Sequence, residues 1–271
     1  MQYLFFLHYT IPGVLPAPGI FSTNLFITTM NLKKTILSLL LLLAAIPAVL
    51  HAEQITIAAG AGYKRPLMEI AALYEKKTGN HIDAVFGNMQ QIFSQTETSG
   101  KVSIIFGEKS FLERSSLAFS NFHPVGKGTL VLAWRKGLKL KRTGDIRRND
   151  ITRLGIPDRQ KAIYGHAAEE YLKNSGLADT VKQKLIVLST VPQVSAYLVS
   201  GEIDAGFINI TDAIGIQKKT GGMLQIPRNL YSPIDIQAAI IKESEKKTEV
   251  ADFLRFLKQR ESVAILKRYG I

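Results

Sequence analysis

Glu53–Gly79 reads EQITIAAGAGYKRPLMEIAALYEKKTG, and this stretch decides the fold. Ile55 and Ile57 alternate with polar neighbours as in a strand. The strand runs into a turn of small residues, Ala58–Gly62, and Pro66 lies near the start of the helix that follows. Leu67, Ile70, Ala71 and Tyr74 recur at helical spacing, and Gly79-Asn80 supplies the stop. A small-residue turn opening a helix leaves backbone N–H groups without intrahelical acceptors, where the peptide dipoles favour negative charge. Such a corner suits a small anion or polar ligand held by main chain.

Working outward, strand-like and helix-like segments alternate to the end of the chain, as in an α/β fold with mainly parallel sheets. The spacing predicts strands at His81–Phe86, Val102–Phe106, Leu130–Trp134, Leu154–Ile156, Ile186–Leu188, Ala205–Ile210 and Ile236–Ile241. Helices are expected near Met89–Glu97, Tyr164–Ser175, Pro192–Val199 and Thr248–Tyr269, the last as one helix or two. Asp212, after Thr211, is expected to cap a further short helix. Strand-to-helix turns carry Gly60/Gly62, Gly87/Asn88, Gly165, Thr190 and Asn209/Thr211. In open α/β sheets ligands lie beyond the carboxyl ends of strands, at such turns. Each turn alone is ordinary cap chemistry; five of them together point to one cleft.

Ahead of this region, Asn31–Ala52, NLKKTILSLLLLLAAIPAVLHA, has the export pattern of a basic start, an apolar run and small residues ending at Ala52. The uncharged run from Thr35 to Leu50 is short for a bilayer span and contains Pro47. A retained anchor is the other reading of that run. Residues 1–29 carry no charge and no periodicity, which suggests translation from Met30 with an upstream extension before it. The mature, periplasmic chain would begin at Glu53 after cleavage behind Ala52.

The chain has 271 residues, 34 Lys+Arg against 22 Asp+Glu, a formal net charge of +12 and no cysteine. Without cysteine there is no disulfide scaffold, thiolate catalysis, Cys-based zinc site or lipoprotein anchor. The positive charges are interspersed with acidic ones rather than gathered in the stripe that nucleic acid requires. The densest cluster, RKGLKLKRTGDIRR at 135–148, reads as a solvated face or as a patch for a partner or membrane surface. His81, His123 and His166 show no metal-ligand spacing. No Gly-x-Ser-x-Gly or His-Glu-x-x-His motif is present, so binding is favoured over hydrolysis.

Four segments carry a family resemblance: ITIAAGAGYKRPLMEIAALYEKKTG, AAEEYLKNSG, VSAYLVSGEIDAGFINITDA and FLRFLKQRESVAILKRYGI. Together the region 53–271 resembles the periplasmic molybdate-binding proteins of ABC importers, within the type II periplasmic binding protein fold. The resemblance implies two lobes, 53–127 plus 233–271 and 128–232, each a mostly parallel sheet flanked by helices, with two crossovers. It implies a monomer with no cofactor, which captures molybdate, tungstate or a related oxyanion between its lobes and delivers it to a membrane permease. The family's two serine donors fall here on Gly62 and Met89, its second-lobe alanine on Tyr164, its valine N–H on Val191 and its tyrosine on Asn209. The family's acidic strand motif is replaced by SIIFGEK at 103–109. The expected ligand-binding set is therefore Gly62, Tyr63, Asn88, Met89, Tyr164, Val191 and Asn209, with Gln90 as a further donor. Each lost bond to a charged ligand costs about 1.5–3 kcal/mol. So either these side chains supply new donors, or the same scaffold takes another ligand, an organic anion or a chelated metal.

Overall fold

The computed structural model describes residues 54–271; the expectations for the upstream extension, the export segment and its cleavage fall outside the described residues. Strand β1 (Gln54–Gly60) sends Ile55 and Ile57 into the core and leads through a 3-10 turn (Ala61–Tyr63) into helix α1 (Lys64–Thr78). The inner face of α1 buries Leu67, Ile70, Ala71 and Tyr74, and each large side chain removed from water contributes about 1.5–3 kcal/mol. Gly79 ends the helix at φ +77°, a left-handed conformation that a Cβ would strain, and its N–H returns to the Glu75 carbonyl. Strand β2 (His81–Gly87), helix α2 (Met89–Ser99) and strand β3 (Val102–Glu108) follow as the sequence predicts.

Two elements here escape periodicity. Helix α3 (Lys109–Glu113) is a single turn, capped by the Glu108 carboxylate, which accepts from the Ser110 and Phe111 N–H groups. Strand β4 (Phe119–Gly128) contains Pro124 and two glycines and is half-buried, so it does not read as a strand. Its antiparallel pairing with the last strand holds it, with breaks in register on either side of the central pairs.

The chain then builds a second sheet from β5 (Leu130–Trp134), β6 (Leu154–Pro157), β7 (Leu185–Leu188), β8 (Ala205–Asn209) and β9 (Gly222–Gln225). Helices α4 (Ile163–Asn174), α5 (Ala178–Val181), α6 (Val191–Ser200) and α7 (Ile210–Ile216) connect them. Strand β10 (Ile234–Ile241) returns to the first sheet, and helices α8 (Thr248–Leu257) and α9 (Arg260–Arg268) close the chain as two helices rather than one. Tyr74 of α1 lies edge-on to both Phe253 and Phe256 of α8, at ring-centre distances of 5.2 and 5.1 Å, which anchors that helix to the first sheet.

The sheet orders are β2-β1-β3-β10-β4 and β7-β6-β8-β5-β9. The expected two-sheet α/β architecture is present, with each sheet mixed rather than mostly parallel. In each, two pairings are parallel and two antiparallel. The antiparallel pairs all involve β10 or β5, the strands by which the chain enters or re-enters a sheet without a preceding crossover helix. We call the two sheets with their helices the first and second lobes.

Within the basic cluster at 135–148, Arg135 pairs with Asp204, Arg142 with Asp145 and Arg148 with Asp150. These acidic partners blunt the local charge. Among the described residues no helix is long and apolar enough to cross a membrane.

Candidate functional site

The β1–α1 turn, the N-terminus of α2, the N-terminus of α4 and the β7–α6 turn meet around one gap between the lobes. Gly62, Tyr63, Asn88 and Met89 line it from the first lobe, and Tyr164 and Val191 from the second, together with Gly60, Ile163 and Thr190. Its volume is about 20 Å³, room for a water-sized group. Asn209 stands directly behind Gly62 and donates from its side-chain nitrogen to the Gly62 carbonyl at 2.8 Å. All seven residues expected from the sequence are thus gathered at one place. Gln90 is not: it is exposed and lines an outer groove.

Local chemistry explains the corner geometries. Asn88 caps α2 in a capping box, with its Oδ1 accepting from the Gln91 N–H while Gln91 Oε1 accepts from the Asn88 N–H. Thr190 caps α6 by accepting from the Gln193 N–H, and Val191 is the first residue of that helix, where its N–H has no intrahelical acceptor. Asn209 caps α7 by accepting from the Asp212 N–H at 3.0 Å. The expectation that Asp212 would cap this helix is therefore corrected. Asp212 lies inside α7, and its carboxylate is spent elsewhere, accepting from Ser195 Oγ at 2.7 Å and pairing with Arg65 of α1 at 3.2 Å. Asn209, three residues earlier at the N-cap, has the side chain that reaches back to the free N–H groups of the first turn, and the N–H it caps is that of Asp212 itself.

The substituted side chains fit one another. A Cβ on Gly62 would stand 2.6 Å from Asn209 Nδ2, so a serine there would collide with the asparagine. A Cβ on Gly128 would meet the Tyr164 hydroxyl at 2.4 Å, and one on Gly107 would meet the Met89 methyl at 2.7 Å. Small residues thus make room for large ones around the gap. Met89 is buried in hydrophobic packing through this methyl. Tyr63 and Tyr164, one from each lobe, are buried edge-to-face with ring centres 6.2 Å apart and hydroxyl oxygens 3.4 Å apart. Burial pushes both phenols above their ordinary pKa, so they stay neutral O–H groups at neutral pH.

Several donors already have partners across the gap. The Met89 N–H donates to the Lys161 carbonyl at 2.8 Å, and the Asn88 amide donates to Ser189 Oγ at 3.2 Å. With the Asn209–Gly62 bond and the Arg65–Asp212 pair, these contacts tie the lobes together. The two cations that follow the β1–α1 turn are engaged elsewhere: Arg65 faces Asp212, and Lys64 lies over the Phe86 ring. The gap is therefore lined by two phenols, Asn88, Thr190, the apolar Met89, Ile163 and Val191, and main chain, without a cationic side chain. Among the described residues no group of three or more His, Asp or Glu side chains converges as metal ligands.

Comparison with known proteins agrees with this architecture. Residues 55–271 match the model of the family described as bacterial extracellular solute-binding protein. The molybdate-binding protein ModA of Rhodobacter capsulatus is 28% identical over 252 residues, covering 90% of this chain and 97% of that protein. Among solved structures, the periplasmic molybdate-binding protein of Azotobacter vinelandii superposes with a TM-score of 0.72 at 24% identity, covering 80% of this chain and 97% of its own. Iron-bound HitA from Pseudomonas aeruginosa shares the fold at a TM-score of 0.58 and 16% identity, covering 79% and 83%. With its paired mixed sheets of the type II periplasmic binding fold, the chain belongs to the family of bacterial extracellular solute-binding proteins.

Proposed function

We infer that this protein is the extracytoplasmic solute-binding subunit of an ABC importer, which captures molybdate, tungstate or a related oxyanion and hands it to a membrane permease. The observation that carries this reading is the convergence of the α2 and α6 N-termini and the β1–α1 turn, from two lobes, on one gap. Helix N-termini and neutral donors hold an oxyanion without a buried cation. Gly62, Tyr63, Asn88, Met89, Tyr164, Val191 and Asn209 form the ligand-binding set in this proposal. Ligand touching both lobes would favour their closed arrangement, and a permease would read the closed surface. The binding reading also fits the lobes assigned as 53–127 plus 233–271 and 128–232, and a monomer exported behind Ala52.

Calorimetry with molybdate, tungstate, sulfate and phosphate tests it. We expect heat and a thermal shift with at least one of the four; the absence of both with all four overturns the oxyanion reading.

A second reading keeps the scaffold and changes the ligand to an organic anion or a chelated metal. The observation favouring it is the replacement of hydroxyl donors by Gly62 and Met89, with two buried phenols narrowing the gap. Elemental analysis of the purified protein separates the two, because stoichiometric molybdenum or tungsten removes the second.

A further inference from the structure

Helix α2 has an unusual outer face for so basic a chain. Gln90, Gln91, Ser94, Gln95 and Thr98 are exposed there, all uncharged, at the spacing of one helical stripe. They form one wall of a groove of about 760 Å³ between the lobes. The opposite wall carries Lys161, Ser189 and Val187, the last 50% exposed. Asn88 lines both this groove and the 20 Å³ gap, and its bond to Ser189 is a partition between them.

Of the nine polar side chains that line the groove, five are already hydrogen-bonded and four are not. Gln91 is held by the capping box, and the Thr98 hydroxyl donates to the Ser94 carbonyl. The side chains of Gln90, Ser94 and Gln95 and the Lys161 ammonium have no hydrogen-bond or ion-pair partner among the described residues. Amide groups that both donate and accept match vicinal hydroxyls, and an exposed valine suits the C–H face of a carbon chain. The Lys161 ammonium shares the groove with the Asp158 carboxylate, which accepts from the Gln160 and Lys161 N–H groups, so the groove itself is near neutral and suits the uncharged body of a ligand whose charge lies elsewhere. A bare tetrahedral oxyanion would use none of this.

We propose that the groove receives the hydroxyl-rich body of a small organic anion, an oxyanion carried on a sugar or polyol, whose charged head lies in the inner gap. This rests on the gap being the ligand site and extends it by naming the class of solute. Two sources share the chemistry: a phosphate ester of a sugar, and molybdate complexed by a polyol. A gap of about 20 Å³ admits the head only once the Asn88–Ser189 bond and the Met89–Lys161 main-chain bond between gap and groove give way to the ligand.

The test is calorimetry on the full mature chain with inorganic phosphate, glucose 6-phosphate, molybdate alone, and molybdate with excess mannitol, for wild type and for Gln90→Ala/Gln95→Ala. Both glutamines are exposed on a helix where alanine is the better helix former, so the variant keeps its fold. We expect one organic form to bind at least tenfold more tightly than its inorganic parent. The double substitution should remove about tenfold of that affinity and leave the inorganic anion unchanged. Which pair shows the preference identifies the source. Equal affinity for organic and inorganic forms, or an organic preference that survives the double substitution, overturns the proposal alone. No binding of any of the four overturns the site reading with it.

Discussion

The Asn209 side-chain nitrogen lies 2.8 Å from the Gly62 carbonyl, joining the β8–α7 corner of the second lobe to the β1–α1 turn of the first. The same asparagine caps α7 through its oxygen. The asparagine's position requires glycine at 62, because a Cβ there would stand 2.6 Å from the nitrogen that makes the bond. Where the resembling family has a hydroxyl on the first lobe and a phenol on the second, this chain has backbone and an amide that touch directly.

The pair should therefore be coupled energetically. Gly62→Ala is expected to destabilise the protein by about 1–3 kcal/mol through overpacking. Asn209→Ser shortens the side chain and preserves a capping hydroxyl. Combined with Gly62→Ala it should recover a substantial part of the loss. Denaturant unfolding of the two single variants and the double variant measures the coupling. Additive losses would show that the contact is incidental.

The Tyr63–Tyr164 pair makes a claim about alkaline pH. Burial raises both phenolic pKa values, so each proton is held more tightly folded than unfolded. For an acid with a raised folded pKa, stability is complete below the unfolded value, about 10, and falls as pH rises above it. Spectrophotometric titration should find at least two tyrosines that stay protonated until the protein unfolds, since burial also raises Tyr171. Tyr63→Phe/Tyr164→Phe should lower that count by two. If every tyrosine of the mature chain ionises reversibly near pH 10, the hydroxyls are not sealed between the lobes.

Tyr164→Phe addresses binding separately. It removes one oxygen from a buried site and leaves the edge-to-face packing with Tyr63 in place. If the hydroxyl donates to a charged ligand, affinity should fall by about 1.5–3 kcal/mol, roughly ten- to a hundredfold, with little change in thermal stability. Calorimetry with whichever anion binds the wild type decides. Unchanged affinity would assign Tyr164 to filling space alone.

Much of this site was legible in the sequence, for a local reason. Gly79, Asn88, Thr190 and Gly201 end or begin helices by chemistry confined to a few residues, and the helix patterns beside them are strong. The six residues that line the gap, and Asn209 behind Gly62, came from those corners and from the family resemblance. What stayed hidden depends on distant partners. β4 is a strand only because β10 pairs with it, and its Pro124 and glycines argue against one. The Met89–Lys161 bond joins residues with no sequence signal between them. Asp212 looked like a cap because aspartate often is one; the cation that claims it sits on a different helix, Arg65.

That ion pair supports the last prediction. The Asp212 carboxyl is buried, and burial raises its pKa despite the hydrogen bond from Ser195 and the nearby Arg65. At a pH above the folded pKa the carboxylate is charged, and Arg65 offsets part of the cost of burying it. Arg65 is 43% exposed, so solvent screening limits the pair's worth. Arg65→Met should then cost about 1–2 kcal/mol at neutral pH, less than the 3–5 of a fully buried pair. As pH falls through the folded pKa of Asp212, the carboxyl becomes neutral in both proteins, and the gap between their melting temperatures should narrow. Wild type and variant melts compared from neutral to acid pH give the profile. Because Arg65 belongs to the first lobe and Asp212 to the second, the same substitution should loosen the lobes, and small-angle scattering should report a larger radius of gyration at neutral pH. A melting difference independent of pH would mean that Arg65 acts through its contacts with Gly215 and not through the charge of Asp212.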